Sequence, residues 1–201
     1  MEHHEKRSTA NTMESALIVS YTSKDTAFFT EMMNAASICY MTTLRSCGET
    51  RRLLLERDFD LVIINAPLRD ESGESLARQI VSKGTSQAIL VVESEHFDAV
   101  SNVCEADGVL TLSKPVDRHL FWSAFALAKS AQNRIKNFQE ENQRLKLKIE
   151  DIRVVDRAKL VLVSHLSLSE QEAHRVIEKQ AMNRRTTRRA IAEEILKTYG
   201  S

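Results

Sequence analysis

The sequence contains few of the residues that cross-link or interrupt a small fold. Its 201 residues include three cysteines, two prolines and five glycines. The cysteines, Cys39, Cys47 and Cys104, are odd in number and form no C-x-x-C pair, which argues against both a disulfide framework and a zinc site. The low proline and glycine content excludes collagen-like and low-complexity chains. We therefore predict a globular protein of a reducing, cytoplasmic compartment that holds no metal or other cofactor.

The sequence also lacks a long hydrophobic run and a surplus of charge of either sign. No stretch approaches the roughly 18 apolar residues of a membrane-spanning helix, and residues 1–13 are polar, so we expect a flexible tail there and no membrane partner. Lys and Arg together number 28, as do Asp and Glu. The overall charge therefore indicates neither nucleic acid nor an acidic surface as a partner, and any such preference must be local.

The charge and the hydrophobic periodicity do change along the chain. Residues 1–129 carry 13 basic and 18 acidic side chains, whereas residues 156–201 carry 9 and 6. Short apolar runs alternate with helical spacing up to about Phe121, and the spacing after it is helical throughout. The pattern predicts an α/β domain at 14–129, a linker helix at 130–155 and a small helical domain at 156–201.

Five apolar runs in the first segment have the length and composition of buried strands. They cover residues 16–19, 40–44, 60–64, 88–92 and 109–112. Each is separated from the next by enough chain for a helix, an alternation typical of a parallel sheet that is covered on both faces. In such a fold, functional groups are expected beyond the carboxyl ends of the strands.

Residues 14–129 resemble the receiver domain of the response regulators of two-component signalling. The resemblance lies in the run from Asp60 to Leu68, in Gly73 and in the triplet Ser113-Lys114-Pro115. It implies a flavodoxin-like fold with five parallel strands in the order 2-1-3-4-5. It also implies a site in which an acidic pair after the first strand holds Mg²⁺ and an aspartate ending the third strand accepts a phosphoryl group.

This chain departs from that site at nearly every position. The corresponding residues are Ser20 and Tyr21 for the acidic pair, Asn65 for the phosphoacceptor, Glu93 (Ser94 with a shift of one residue) for a hydroxyl residue, and the retained Lys114. An amide at Asn65 is neither a competent nucleophile nor a good ligand for a hard cation. We expect a degenerate, unphosphorylated receiver that acts as a scaffold or binds a sensor or regulatory protein. The alternative is a receiver modified at another acid such as Asp70.

Residues 130–155 carry an apolar heptad repeat. Its a and d positions are Ile135, Phe138, Asn142, Leu145, Ile149 and Ile152. Charged neighbours flank this seam, as in a two-stranded coiled coil, and an asparagine at an a position selects a parallel, in-register pair at a cost in stability. We predict a homodimer joined by this helix. The alternative is an amphipathic helix that packs on its own receiver.

The C-terminal segment resembles an ANTAR domain, the three-helix RNA-binding module of bacterial transcription antiterminators. The resemblance spans about residues 150–198 and lies in Ala158-Lys159, Leu162, Leu168-Ser169-Glu170, Glu172-Ala173, Gln180-Ala181-Met182, Arg185, Ala192 and Ile195-Leu196. Leu160-Val161 and the apolar loop 164–167 depart from the pattern. Independently of the family, Ser169 followed by acidic residues is a strong helix start. Met182 is expected in the core of this module.

A basic cluster marks the same segment as a candidate RNA-binding surface. Its members are Lys159, Arg175, Lys179, Arg184, Arg185, Arg188 and Arg189. Guanidinium groups pair with phosphates and stack on unpaired bases, so such a patch on a small helical module suits RNA hairpins.

These observations predict a bacterial regulator that binds hairpins in nascent RNA as a dimer and promotes transcription antitermination. A DNA-binding regulator of the helix-turn-helix type is the alternative, although the basic cluster lies at a helix junction and not along a recognition helix. Paired carboxylates, a nucleophile with its base, a glycine-rich phosphate loop and a metal cluster are all missing from the sequence, so we expect no enzymatic activity.

Overall fold

The computed structural model describes residues 13–199, which fall into two compact units. The first unit ends at Phe138 and the second begins at Gln139. The strands are β1 (Ser15–Ser20), β2 (Tyr40–Leu44), β3 (Leu61–Asn65), β4 (Gln87–Val92) and β5 (Leu110–Ser113). The helices are α1 (Ser23–Ala35), α2 (Cys47–Glu56), α3 (Glu74–Ser82), α4 (Phe97–Glu105), α5 (Arg118–Leu166), α6 (Glu170–Asn183) and α7 (Arg188–Tyr199), with a short 3₁₀ turn at Ser94–His96.

The first unit is a five-stranded parallel sheet in the order β2-β1-β3-β4-β5. Every residue of β3 and β4 is buried, which explains why both strands read as continuous apolar runs. The register pairs Ser20 with Asn65, so the carboxyl ends of β1 and β3 lie side by side. The predicted flavodoxin-like fold is confirmed.

Two apolar layers cover the sheet. One side packs on α2, α3 and α4 around Phe59 and Leu76, and the other packs on α1 and α5 around Met32 and Phe121. Met13, predicted as the last residue of the flexible tail, is buried in the second layer. The rest of the predicted tail, residues 1–12, lies outside the described residues.

Helix α5 runs without a break through both predicted domain boundaries. Its first part belongs to the receiver core as far as Lys136: Ala128 is fully buried, Gln132 donates to the Thr85 carbonyl at 2.8 Å, and Lys136 Nζ lies 2.7 Å from Asp60 Oδ1. Among residues 13–199, no helix combines the length and apolar character that a membrane span requires.

The second unit has a core built from three helical faces. It contains Val154, Ala158 and Leu162 of α5, Ala173, Ile177 and Ala181 of α6, and Ile191, Ala192 and Ile195 of α7. Helix α6 starts with a capping box, in which the Ser169 hydroxyl accepts from the Glu172 amide and the Glu172 carboxylate accepts from the Ser169 amide at 2.8 Å. The expected helix start is therefore confirmed.

Candidate nucleic-acid interface and receiver pocket

The receiver pocket is organised around Asn65 at the end of β3. Asn65 and Ser20 are buried, with 4% and 2% of their surfaces exposed. The Asn65 amide donates to Ser20 Oγ at 3.2 Å and to Asp25 Oδ2 at 3.0 Å. Asp25 reaches the pocket from the first turn of α1, where its backbone amide donates to the hydroxyl of the N-cap residue Thr22. Sequence reasoning missed Asp25, which that cap could have located.

Lys114 is the retained basic residue of the pocket. Its ammonium donates to the Ala66 carbonyl at 2.5 Å and to Glu93 Oε1 at 2.9 Å. An anion entering the pocket would have to displace Glu93 and would face its carboxylate, so the site opposes a phosphate. Tyr21 has a different partner: the guanidinium of Arg69 lies 4.0 Å from the centre of its ring.

The pocket does not fit the magnesium ion that a receiver normally holds. Ser20 offers only a hydroxyl and Asn65 turns its amide nitrogen toward Asp25. Asp25, the carboxylate that contacts Asn65, already accepts from Asn65 and from the Thr22 hydroxyl, and the Glu93 carboxylate is paired with Lys114. A hard divalent cation needs several oxygen ligands, of which carboxylates are the strongest.

A second group of possible metal ligands lies at the start of α2 and stabilises that end of the helix. Within the described residues, Cys47, Asp70 and Glu71 bring their ligand atoms within 4.8 Å of one another. Asp70 accepts from the Cys47 and Gly48 amides at the start of α2, and Glu71 accepts from Arg51. Burial, together with the charges of Asp70 and Glu71, raises the pKa of the Cys47 thiol to about 11. A protonated thiol and two engaged carboxylates explain the cluster as the support of α2.

The predicted coiled-coil seam lies on the solvent side of α5. Phe138, Leu145, Ile149 and Ile152 are all exposed, Phe138 by 70% and Ile152 by 60%, while Ile135 is half-buried. All residues from 137 to 150, including Asn142, are exposed in the single chain. Both the coiled-coil pair and the helix that packs on its own receiver stay predictions.

Four of the seven predicted RNA-binding residues are held by carboxylates. Arg184 pairs with Glu194 at 2.9 Å, Arg188 with Glu178 at 3.1 Å, and Arg189 with Asp151 at 2.7 Å and Glu193 at 2.8 Å. Lys159, only 16% exposed, lies 2.7 Å from Asp156 and 3.1 Å from Glu170, and these contacts, that with Asp156 first, raise its pKa. Glu194, Glu178, Asp151 and Glu170 come from another helix, which is why sequence reasoning missed them. Glu193 and Asp156 lie four and three residues from their cations on the same helix, and that spacing could have located them.

The other three cations, Arg175, Lys179 and Arg185, form no ion pair with any residue in 13–199. Arg175 and Lys179 are one helical turn apart on the exposed face of α6. Met182 continues this face and is 77% exposed, so the prediction that it belongs to the core is wrong. The core positions of α6 are instead Ala173, Ile177 and Ala181, which point away from Met182.

Arg185 occupies an unusual backbone conformation. Its φ of +50° lies in the left-handed region, directly after the last turn of α6. The Thr186 amide donates to the Ala181 carbonyl at 3.0 Å and the Arg185 amide to the Met182 carbonyl at 3.2 Å, the pattern of a Schellman cap. Glycine is the usual residue at this position, so an exposed arginine here is retained at a conformational cost.

Comparisons with known proteins agree with both halves of this description. Residues 143–196 match the ANTAR domain. The chain is 30% identical to the "Transcriptional regulatory protein PdtaR" of Mycobacterium tuberculosis over 142 residues, covering 71% of this chain and 69% of that one. The chain belongs to the ANTAR family of response regulators. The relative that shows this membership is a transcriptional regulator by name.

Two further proteins are similar to parts of this chain. The "Aliphatic amidase regulator" of Pseudomonas aeruginosa is 25% identical over 119 residues, 58% of this chain and 61% of the relative. A signal receiver domain from Pseudomonas fluorescens shares the fold of the first unit, with a TM-score of 0.54, 21% identity, and coverage of 62% of this chain and 93% of that domain. The ANTAR match begins within α5, upstream of the predicted boundary at residue 156.

Proposed function

We propose that this ANTAR regulator binds hairpins in nascent RNA through the exposed face of α6 and the turn that follows it, and thereby favours transcription antitermination. The observation that carries the proposal is that Arg175, Lys179 and Arg185, on the exposed face of α6 and the turn after it, are exposed cations inside the ANTAR match and form no ion pair within 4.0 Å among residues 13–199. Cations without an internal partner can neutralise phosphates and release counterions without first breaking an ion pair. The ANTAR match and the regulator names of the relatives support the same function.

The ion-paired arginines have a secondary role in this proposal. Arg184, Arg188 and Arg189 lie at the same helix junction, and an RNA phosphate could replace the carboxylate that each now contacts. Lys159 differs, because it is mostly buried and joins α5 to the start of α6. We assign Lys159 to the fold of the module and not to RNA contact.

The exposed seam of α5 supports a parallel homodimer as the RNA-binding form. Pairing two copies through Phe138, Leu145 and Ile149 would remove three large apolar side chains from water. In a parallel pair, Glu141 at position g faces Lys146 at position e of the partner helix, which favours this register. Sedimentation of the full chain at tens of micromolar, with and without RNA, tests the dimer.

The receiver serves as a phosphorylation-independent scaffold, or as a docking domain for a sensor or regulatory protein. Support comes from the amide of Asn65, the Glu93 carboxylate on Lys114 and the missing acidic pair. Incubation with radiolabelled acetyl phosphate and Mg²⁺ should give no labelling. Stable, acid-labile phosphate on the wild-type chain would contradict this part of the proposal.

RNA binding itself is tested by equilibrium titration with a stem-loop RNA and with duplex DNA of matched length, each over a salt series. We expect tighter binding to the stem-loop at every salt concentration and a slope that reports several phosphate contacts. Equal affinity for the duplex DNA would favour a DNA-binding regulator instead.

A further inference from the structure

A cleft of about 690 Å³ lies within the second unit. It is bounded by the later part of α5, by α6 and by the turn before α7. Met182, an apolar lining residue, is 77% exposed in the single chain. Ile152 also lines the cleft, but its exposure is already explained by the proposed dimer seam. A large apolar side chain that remains in water at the wall of a cleft indicates a surface for a ligand with an apolar face.

The polar lining of this cleft suits a ligand that donates hydrogen bonds. Glu178 Oε1 accepts from Arg188 at 3.1 Å and lies 3.4 Å from His174 Nε2. Among residues 13–199, nothing donates a hydrogen bond to the other oxygen, Oε2. Asp151 and Asp156 also line the cleft. Lys159, Arg188 and Arg189 line the same cleft and pair with Asp156, Glu178 and Asp151, so the lining carries no surplus of charge of either sign. The open Oε2 of Glu178 is then an acceptor for a group that presents N–H donors.

We propose that this cleft accepts one unpaired base from the loop of the RNA hairpin. The inference rests on the RNA binding proposed above. A nucleobase combines an apolar face, which can pack on the soft thioether of Met182, with edge N–H groups, which can donate to Glu178. The cleft adjoins the cations of the α6 face: Lys179 precedes Met182 by three residues and Arg185 follows it by three. These cations would bind the phosphates on either side of the inserted base.

Met182 is the residue of choice for a test, because Ile152 also belongs to the proposed dimer seam. The probe is a stem-loop RNA selected in vitro from a library with a randomised loop, bound to the full-length chain. It carries 2-aminopurine at each loop position in turn, so that insertion of a base changes its fluorescence. We expect one position to respond to the wild type, and Met182→Ala to abolish that response and weaken binding about tenfold.

Two variants serve as matched controls. Leu160→Ala also truncates a mostly exposed apolar side chain of the same unit, but Leu160 does not line this cleft. Glu194→Gln also frees an arginine from its carboxylate, but Glu194 lies outside the cleft. We expect wild-type affinity for Leu160→Ala and equal or tighter binding for Glu194→Gln. Glu178→Gln, which removes the charged acceptor, should weaken binding about tenfold.

The outcomes separate this inference from the proposed function. If Met182→Ala and Glu178→Gln bind like the wild type, or if Glu178→Gln binds more tightly as Glu194→Gln does, the base cleft is refuted while hairpin binding stands. If selection yields no RNA that the wild-type chain prefers over duplex DNA, the proposed function itself is refuted. Because Met182 is so exposed, its variant keeps the helical content of the wild type, which circular dichroism verifies.

Discussion

Replacing Arg185 by glycine should stabilise the ANTAR module while weakening its RNA binding. The residue stands at the C′ position of α6, with a φ of +50°, held by the two amide hydrogen bonds of the Schellman cap. An L-residue pays about 1–2 kcal/mol in the left-handed helical region, a cost that glycine avoids. Glycine loses about 0.4–1 kcal/mol of this gain through the greater freedom of the unfolded chain.

The net effect of Arg185→Gly on stability should therefore be a gain of about 0–1.6 kcal/mol. The side chain is exposed and forms no ion pair with the described residues, so its removal breaks no ion pair of the folded module. Hairpin binding should weaken by about 1–3 kcal/mol if the guanidinium stacks on a loop base, and the salt slope should fall by about one if it contacts a phosphate.

Ser167→Gly is the matched control, because Ser167 also has a positive φ, +51°, after the last residue of α5. It should give a similar stability change with unchanged RNA affinity. Thermal denaturation by circular dichroism and fluorescence anisotropy with the selected stem-loop measure the two quantities. The reasoning is refuted if Arg185→Gly binds the hairpin like the wild type, or if it unfolds more easily by over about 1 kcal/mol.

Three further predictions concern other parts of the chain. Asn142→Leu should stabilise the coiled coil yet broaden its oligomeric states in sedimentation; a wild type that stays monomeric with and without RNA would contradict the dimer. Asn65→Asp should lower the free energy of unfolding by about 2–4 kcal/mol at pH 7, because it buries a second carboxylate beside Asp25. Burial raises the pKa of the carboxyl group introduced at position 65, so the loss of stability should become smaller as the pH falls toward 5, which urea titrations measure. Equal stability of the variant and the wild type at pH 7 would exclude the contact between position 65 and Asp25. Ser169→Ala should cost about 1 kcal/mol. Hydrogen bonds from the backbone amide and the hydroxyl of Ser169 hold the pKa of Glu172 below its ordinary 4.5. The bond from the hydroxyl is lost in the variant, so the cost should be largest above pH 4.5 and decrease in acid to the part contributed by the Glu172 amide, which does not titrate; a cost that rises in acid would contradict the capping box.

The strands and the type of fold could be predicted from the sequence because their signal is local. Strands buried on both faces consist of consecutive apolar residues, and all five predicted runs overlap β1 to β5. The start of α6 was equally local, since the Ser169 side chain and the Glu172 amide are three residues apart. Asn65 and Lys114 were placed in the pocket by the resemblance to receivers.

Contacts between distant parts of the chain could not be predicted in this way. Asp25 reaches Asn65 across 40 residues, and Glu93 reaches Lys114 across 21. Met182 matches a motif residue of the module, and no pattern in the sequence indicates that its face of α6 is turned to solvent. A side chain's burial depends on the rotation of its helix against its neighbours, which the packing of the whole unit determines.

The sequence by itself determined the architecture, the loss of the phosphoacceptor at Asn65 and the concentration of cations near the α6–α7 junction. The tertiary structure decided which of those cations remain available. Arg184, Arg188 and Arg189 form ion pairs with carboxylates, whereas Arg175, Lys179 and Arg185 form no ion pair within 4.0 Å among residues 13–199. The physical reason is range: helical and strand periodicity acts over a few residues, but an ion pair acts through space between groups that only folding brings together.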